Sequence, residues 1–217
     1  MIIPAIIAKD FEELQSKLAK IDGLVSWAQI DVMDGVFVPP TTWREPKDLD
    51  NLKTAINLEA HLMVNKPENI IDGWLNSPVR RVLLHYESTK HAQIEKLIEK
   101  ILASGKEAGI ALKLQTPLFV LNSLIQNSKF KIRVIQLMSI SEIGYHGHPF
   151  EEKVLDRIKT LREKYPDVII SVDGGVSLEN APKILSAGAD NLLVGSTIFK
   201  SDDIGETIKK FRDIDYG

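Results

Sequence analysis

The stretch from Val168 to Ser196, VIISVDGGVSLENAPKILSAGADNLLVGS, contains one complete strand–helix–strand unit. A β-branched run ends in a double glycine, a helix-like stretch follows, and a second apolar run ends in Gly195-Ser196. Two neighbouring strands that are joined by a helix run parallel to each other in one sheet. The stretch therefore predicts a parallel sheet covered by helices.

The same alternation continues upstream to the start of the chain. Short β-branched runs, most of them continuously apolar as expected for strands buried on both faces, alternate with longer amphipathic segments. The predicted strands are Ile2–Ala8, Val25–Val32, Asn57–Met63, Arg81–Tyr86, Gly109–Leu114, Ile132–Met138, Val168–Val172 and Asn191–Val194.

Helix signals occupy the segments between these strands. Asp10 is a predicted N-cap ahead of the apolar positions Leu14, Leu18 and Ile21, and Gly23 is predicted to end this helix. The other predicted helices are 49–55 after a proline-containing loop, 66–75, the stripe from Ile94 to Leu102, 119–125, 149–165, 178–187 and 203–211.

Eight strands and eight helices in strict alternation predict an α/β protein, a single (β/α)8 TIM barrel over residues 1–217. Each unit has roughly 27 residues, which is compact but sufficient for a closed barrel. The alternative is an open doubly wound sheet, which places a glycine-rich turn after its first strand. Here that strand ends in Ala8-Lys9-Asp10, and the glycine-rich turns come late in the chain. No Pro/Gly/Ser-rich linker divides the chain, so the sequence favours one barrel domain.

The composition excludes several classes of site and partner. The 217 residues include no cysteine, which rules out disulfides, thiolate zinc sites and a cysteine nucleophile. A net charge of -3 without a run of five basic residues argues against nucleic-acid binding. The apolar start MIIPAIIA is too short to span a membrane and lacks a basic n-region. We expect a soluble, cytoplasmic protein with no nucleic-acid or membrane partner.

Polar residues at the C-terminal strand ends are the candidates for chemistry, because the active site of such a barrel forms there. Asp31, His61 and Asp173 end otherwise apolar strands, and alternation places Gln29 and Met33 on the same face as Asp31. A lone acid of this kind could equally cap a helix or pair with a lysine. Charges in an apolar barrel mouth are costly unless paired, hydrogen-bonded or metal-bound. The three residues together therefore favour a functional cluster.

Glycines at the ends of the last strands indicate a phosphate site. Gly174 and Gly175 follow the seventh predicted strand, and Gly195-Ser196 follows the eighth, where barrels of this kind often bind phosphate through backbone N–H groups. One such turn would be weak evidence, since turns require glycine anyway. Further glycines in the loop after the sixth strand are predicted to close over the same group; they are Gly144 and Gly147.

Six motifs occur in order along the chain: QIDVMDGVFVP, HLMV, HYES, LMS with a following GYHG loop, VDGGV and AGADNLLVGSTIF. In this combination, and over essentially the whole chain, they resemble the ribulose-phosphate 3-epimerase family. The resemblance implies a (β/α)8 barrel that binds a sugar phosphate and interconverts D-ribulose 5-phosphate and D-xylulose 5-phosphate. It also implies a homo-oligomer, although no single stripe of the sequence identifies an interface.

The resemblance assigns roles to individual residues. Asp31 and Asp173 correspond to the two acid–base aspartates, of which one takes the proton from carbon 3 and the other returns a proton to the opposite face. The same two aspartates and His61 correspond to ligands of a divalent metal, Zn, Mn, Fe or Mg. The methionines that line the family's site correspond to Met33, Met63 and Met138.

Three positions depart from the family pattern. Gln29 stands where the family has its first metal-binding histidine, and an amide oxygen is a weaker and harder ligand than imidazole. Gln29 therefore implies weaker metal binding, a preference for Mn or Mg, or direct hydrogen bonding to the enediolate. Ala5 replaces a family serine that is expected to touch the substrate. The lid loop at 141–150 departs from the family's NPGFGGQ pattern, and its histidines, His146 and His148, are expected to be exposed polar residues, with substrate or metal contact as the alternative.

These departures leave three functions open. The first is an epimerase of the family, acting on ribulose 5-phosphate or on another ketose phosphate such as allulose 6-phosphate. The second is a sugar-phosphate-binding barrel without catalysis. The third is a related phosphosugar lyase or synthase, against which the DVMDG and HLM motifs argue. The paired aspartates and the methionines favour the epimerase.

Overall fold

The computed structural model describes residues 1–127, 129–130, 132–145 and 147–215. Within these ranges, eight parallel strands close into a barrel in sequence order, with β1 paired to both β2 and β8. The strands are β1 (Ile2–Ile6), β2 (Trp27–Met33), β3 (Asn57–Met63), β4 (Arg81–His85), β5 (Glu107–Leu112), β6 (Val134–Met138), β7 (Ile169–Asp173) and β8 (Asn191–Val194). The α/β class and the eight-stranded barrel are confirmed, and the predicted strand bounds agree to within two residues.

The helices cover the outside of the barrel. They are α1 (Phe11–Ile21), α2 (Ile71–Leu75), α3 (His91–Ala103), α4 (Asn122–Gln126), α5 (Lys153–Lys164), α6 (Ala181–Ser186), α7 (Ser196–Phe199) and α8 (Ile204–Asp215). Among the described residues, no helix combines the length and the apolarity that a membrane span requires.

Two of the predicted helical connections differ from the prediction in detail. Between β2 and β3 the chain forms a 3-10 helix at Pro46–Asn51 instead of a helix at 49–55. Pro46 fixes the backbone of the first turn and shifts the start of this element toward the N-terminus. After β8, two helices follow instead of one, because the short helix α7 precedes α8.

Two other predicted helices are shorter than expected. The segment 66–75 divides into a 3-10 turn at Pro67–Asn69 and α2, because the backbone of Ile70 leaves the helical region at φ -123°. The segment 149–165 becomes helical only at Lys153. The preceding residues form part of the site instead, and the amide of Glu151 donates to the carbonyl oxygen of Ser139 at the end of β6.

The start of α1 follows the sequence signal closely. The Asp10 side chain accepts a hydrogen bond from the amide of Glu13 at 2.9 Å, and the Glu13 side chain accepts one from the amide of Lys9 at 2.9 Å. This pair satisfies the amide of Glu13, which the helix itself leaves free, and the amide of Lys9 just before the N-cap. Leu14, Leu18 and Ile21 are buried, as their spacing predicts.

The register between strands places the candidate residues side by side. Asp31 lies opposite His61 and Met33 opposite Met63 on β2 and β3, and Met138 lies opposite Asp173 on β6 and β7. Residues that are two positions apart on a strand share a face. One parity on these strands therefore points into the barrel, and the other packs under the helices in the main apolar core.

A buried ion pair lies in the barrel interior below the site. A guanidinium nitrogen of Arg81 donates to Glu59 at 2.7 Å, and these residues are 4% and 1% exposed. Arg81 also donates to Glu107 at 2.9 and 2.7 Å and lies over the ring of Trp27 at 4.3 Å. Glu59 occupies the inward position two residues before His61, so the pair supports the floor of the site.

Candidate active site

A cavity of about 230 Å³ opens at the C-terminal ends of the strands. Its wall includes eleven of the residues that the sequence singled out, namely Asp31, Met33, Met63, Met138, Gly144, Gly147, Asp173, Gly174, Gly175, Gly195 and Ser196. The structure thus brings together the two acids, the methionines and the glycines around one volume. Gln29 and His61 are fully buried beside the acids and form the layer beneath this wall.

The two acids and the histidine form a compact cluster. His61 Nδ1 lies 3.0 Å from Asp31 Oδ1 and 3.7 Å from Asp173 Oδ2. One ligand atom from each of the three residues lies within 4.8 Å of the others. Two carboxylate oxygens and one ring nitrogen at such separations can hold a divalent cation.

Two glutamine amides complete this cluster. Gln29 Nε2 donates to Asp31 Oδ1 at 2.8 Å and to Asp173 Oδ2 at 3.3 Å. Gln136 Nε2 donates to Asp173 Oδ2 at 2.9 Å. The amide oxygens of Gln29 and Gln136 are buried and have no hydrogen-bond partner among the described residues. Gln136 was not predicted from the sequence, although it precedes Met138 by two residues on β6 and therefore shares its face.

The cluster perturbs the protonation of its own members. Burial and the neighbouring charge of Asp31 raise the pKa of Asp173 to about 7, although His61 and the Gln29 hydrogen bond act in the opposite direction. The pKa of His61 is raised. Burial by itself would lower it, but the hydrogen bond and charge of Asp31 and the charge of Asp173 outweigh the effect of burial. Asp173 can therefore hold or release a proton near neutral pH, as acid–base catalysis requires.

A second histidine connects the cluster to a buried glutamate. His61 Nε2 lies 2.9 Å from His85 Nε2, and His85 Nδ1 lies 3.2 Å from Glu87 Oε2. Burial lowers the pKa of His85 to about 4. Burial alone would raise the pKa of Glu87, but hydrogen bonds from His85, Thr116 and Lys113 lower it to about 2. The HYES motif contains His85 and Glu87, but nothing in the sequence pattern predicts a role for either residue.

The methionines form the apolar side of the cavity. Met33, Met63 and Met138 are at most 3% exposed and pack with Val38, Ile140 and Ile143. Ala5 also lines the cavity, so the position where the family has a serine contributes only a methyl group here.

Glycines in left-handed backbone conformations also line the cavity. Gly174 and Gly175 have φ of 118° and 63°. A Cβ on Gly175 would lie 2.8 Å from the His148 carbonyl oxygen and 2.8 Å from the Phe150 amide nitrogen. The loop after β6 therefore packs directly on the loop after β7 and requires glycine there.

The lid loop contributes side chains as well as backbone. His148 lines the cavity together with Tyr145, and the two rings are 5.9 Å apart. The His148 side chain is 32% exposed, so it is partly and not fully exposed, and its contact with a bound molecule stays a prediction. His146 lies outside the described residues.

The chain is similar to known proteins over most of its length. The model of the ribulose-phosphate 3-epimerase family matches residues 1–199. The ribulose-5-phosphate-3-epimerase of Arabidopsis thaliana, named as chloroplastic, is 32% identical over 96% of this chain and 75% of its own length. The cytoplasmic isoform of ribulose-phosphate 3-epimerase from Oryza sativa subsp. japonica is 29% identical over 97% and 92%.

Among solved structures, the 3-hexulose-6-phosphate synthase of Salmonella typhimurium superposes with a TM-score of 0.72. The alignment covers 98% of this chain and 97% of the synthase, at 15% identity. At this identity the similarity concerns the barrel fold alone.

Proposed function

Because the chain belongs to the ribulose-phosphate 3-epimerase family, we propose that it inverts carbon 3 of a phosphorylated ketose, with D-ribulose 5-phosphate and D-xylulose 5-phosphate as the substrate pair. The observation that carries the proposal is the convergence of Asp31 and Asp173 on one small cavity, from β2 and β7, which are separated by β1 and β8 in the closed barrel. Inversion without a redox cofactor needs a base on one side of the carbon and an acid on the other.

In the proposed reaction, one aspartate removes the proton from carbon 3 and the other returns a proton to the opposite face. No atom is gained or lost, and the two carboxyl groups exchange roles in the reverse direction. The raised pKa of Asp173 suits it to carry the proton in one resting form of the enzyme. Met33, Met63 and Met138 are buried in one apolar cluster and would exclude water around the reacting carbon.

The residues of the cluster fit a divalent cation. Asp31, His61 and Asp173 would supply the ligands. The side-chain amides of Gln29 and Gln136 lie beside them, and their unpartnered oxygens would become further ligands if the amides turned toward the ion. When bound, such a cation would act as a Lewis acid and stabilise negative charge on the substrate oxygens. Because amide oxygen is a harder ligand than imidazole, we propose Mn²⁺ or Mg²⁺ before Zn²⁺ or Fe²⁺.

The glycine side of the cavity is the proposed phosphate site. The cavity wall contains no lysine or arginine among the described residues, so backbone N–H groups of the loops at 174–176 and 195–197 would bind the phosphate. Gly144 and Gly147 lie on the same wall and allow the lid to approach closely.

The decisive experiment is NMR of ribulose 5-phosphate in D2O with the purified protein. We expect deuterium to enter carbon 3 and xylulose 5-phosphate to form. Asp31→Asn and Asp173→Asn should abolish both, while Asp156→Asn, a substitution on the exposed face of α5, should change neither. Absence of exchange with both this sugar and allulose 6-phosphate would overturn the catalytic proposal. Calorimetric binding of the sugar without exchange would instead identify a binding protein.

Three further assignments accompany this function and need their own measurements. Elemental analysis of the protein as isolated tests the metal, and an absence of Mn, Mg, Zn and Fe after native purification would contradict it. We propose a cytoplasmic location, as in the name of the Oryza sativa relative. Because the Arabidopsis thaliana relative is named chloroplastic, cell fractionation is needed to test the location. The predicted homo-oligomer stays a prediction, which light scattering coupled to size-exclusion chromatography can test.

A further inference from the structure

A buried chain of hydrogen bonds leads from the catalytic cluster to a fixed carboxylate. It runs from His61 Nε2 to His85 Nε2 at 2.9 Å, and from His85 Nδ1 to Glu87 Oε2 at 3.2 Å. Both histidines are fully buried, and the Phe37 ring packs on His85 at 5.0 Å. The reaction proposed above makes no direct use of His85 or Glu87.

The outer end of this hydrogen-bonded series is Glu87, and two donors hold its carboxylate in place. Glu87 Oε1 accepts a hydrogen bond from the backbone amide of Lys113 at 2.8 Å and a second from the Thr116 hydroxyl. Because a carboxylate only accepts hydrogen bonds, its other oxygen must accept from His85. The proton on His85 therefore sits on Nδ1.

The position of that proton determines the next one. A neutral imidazole carries one N–H and one lone pair, so His85 with Nδ1–H presents a lone pair at Nε2. The 2.9 Å contact then requires His61 to donate its Nε2–H. Consequently, His61 Nδ1 faces Asp31 and Asp173 with its lone pair, or, when no cation is present, with a second proton shared with Asp31 at 3.0 Å.

We propose that His85 and Glu87 are positioning residues that hold the proton of His61 on Nε2, and so keep Nδ1 free to bind a divalent cation between the two catalytic aspartates. This inference rests on the metal site of the proposed function. Metal-binding histidines commonly donate their other N–H to a carboxylate or carbonyl, which fixes the ring and its tautomer. Here a second histidine transmits that effect from a glutamate that does not reach the ligand itself.

The first test locates the protons in the wild-type, metal-free protein. With ¹⁵N-labelled histidine, we expect His61 Nε2 and His85 Nδ1 to carry protons and a scalar coupling to connect the two Nε2 atoms across their hydrogen bond. A bare Nε2 on His61, or a bare Nδ1 on His85, would overturn the proposal. This measurement requires no variant and no activity.

The second test uses Glu87→Gln to reverse the direction in which His85 and His61 donate their hydrogen bonds. The amide of Lys113 can only donate, so the new amide oxygen must face it and the new NH2 group must face His85. His85 then accepts at Nδ1 and donates from Nε2, which moves the His61 proton to Nδ1. We expect Mn²⁺ affinity, measured by calorimetry, to fall by about 10- to 100-fold, the range found when such supporting partners are removed.

Glu95→Gln is the matched control, because Glu95 lies beside His91 on the exposed face of α3 at 3.6 Å. It should leave Mn²⁺ affinity unchanged. Equal Mn²⁺ affinity in the wild type and in Glu87→Gln would overturn the proposed positioning role. If the wild type shows the expected protons but binds neither Mn²⁺ nor Zn²⁺, the tautomer assignment stands and the metal site of the proposed function is wrong.

Discussion

The side-chain amide of Gln29 donates to Asp31 at 2.8 Å and lies 3.3 Å from His61 Nδ1. It also reaches Asp173 at 3.3 Å, so one neutral group bridges both acids of the cluster. Its hydrogen bonds stabilise the charged form of Asp173 and partly offset the burial that raises its pKa. Gln29 therefore lowers the pKa of Asp173, and as a metal ligand it can offer only an amide oxygen.

The first prediction concerns Gln29→His. Imidazole is a stronger zinc ligand than an amide, and this substitution would give the cluster two histidines and two aspartates. We expect Zn²⁺ affinity, measured by competition with a chelating dye, to rise at least about tenfold, which equals about 1.4 kcal/mol.

Two controls accompany this experiment. Gln15→His, on the exposed face of α1, should leave Zn²⁺ affinity unchanged. Gln29→Ala removes the amide without adding a ligand and should not raise the affinity. Equal affinity of Gln29→His and the wild type would show that position 29 does not reach the ion.

How far the sequence predicts this site depends on the kind of signal that each residue gives. Asp31, His61 and Asp173 could be predicted because polar residues at the ends of apolar strands converge at the mouth of a barrel. Gln136 belongs to no motif, and a glutamine within a strand predicts nothing until the register places it beside Asp173.

Contacts between distant segments explain what the sequence could not predict. His85 and Glu87 gain their connection to the cluster only through the side-by-side position of β3 and β4. The start of α5 was predicted too early because the residues before Lys153 pack on Gly175, which is distant in the sequence. Local patterns carry no information about that contact.

The second prediction concerns the stability of Asp173→Asn. The pKa of Asp173 is about 7 in the folded protein, against an ordinary value of 3.8. An acid with a raised pKa in the folded state destabilises that state above its unfolded pKa, and the effect is complete once the pH exceeds the folded value. We expect Asp173→Asn to stabilise the metal-free protein by on the order of 2–4 kcal/mol at pH 8 and much less at pH 4, in urea unfolding.

Asp156→Asn is the control for this comparison, because its carboxyl is 88% exposed. It should change the free energy of unfolding little at either pH. An equal effect of Asp173→Asn at pH 4 and pH 8 would contradict the assigned pKa.

The third prediction concerns the contact between the lid and the phosphate loop. Alanine at Gly175 would place a Cβ 2.8 Å from backbone atoms of His148 and Phe150, which cannot move independently of the loop. We expect inhibition by inorganic phosphate to weaken at least about tenfold, or by about 1.4 kcal/mol. The measurement is the inhibition constant against the sugar phosphate.

Gly105→Ala separates this contact from backbone strain. Gly105 also has a positive φ, 80°, but a Cβ there meets nothing within 4 Å, and it precedes β5 at the other end of the barrel. Both variants should lose roughly 1–2 kcal/mol of stability from the left-handed conformation. Only Gly175→Ala should weaken phosphate inhibition, and equal weakening in both would contradict a specific role of the lid contact.

The fourth prediction concerns the ion pair below the cluster. Arg81→Met would leave Glu59 buried without its partner, and such losses amount to about 3–5 kcal/mol. Burial raises the pKa of Glu59 even with Arg81 present, so protonation relieves the unpaired carboxylate as the pH falls. We expect the loss in urea unfolding to be larger at pH 8 than at pH 5, and Glu59→Met in the same chain to recover part of it. Arg80→Met changes an exposed neighbour and should have little effect on the free energy of unfolding at either pH. A loss of stability in Arg81→Met that did not depend on pH would show that packing, and not the buried charge, stabilises the floor of the site.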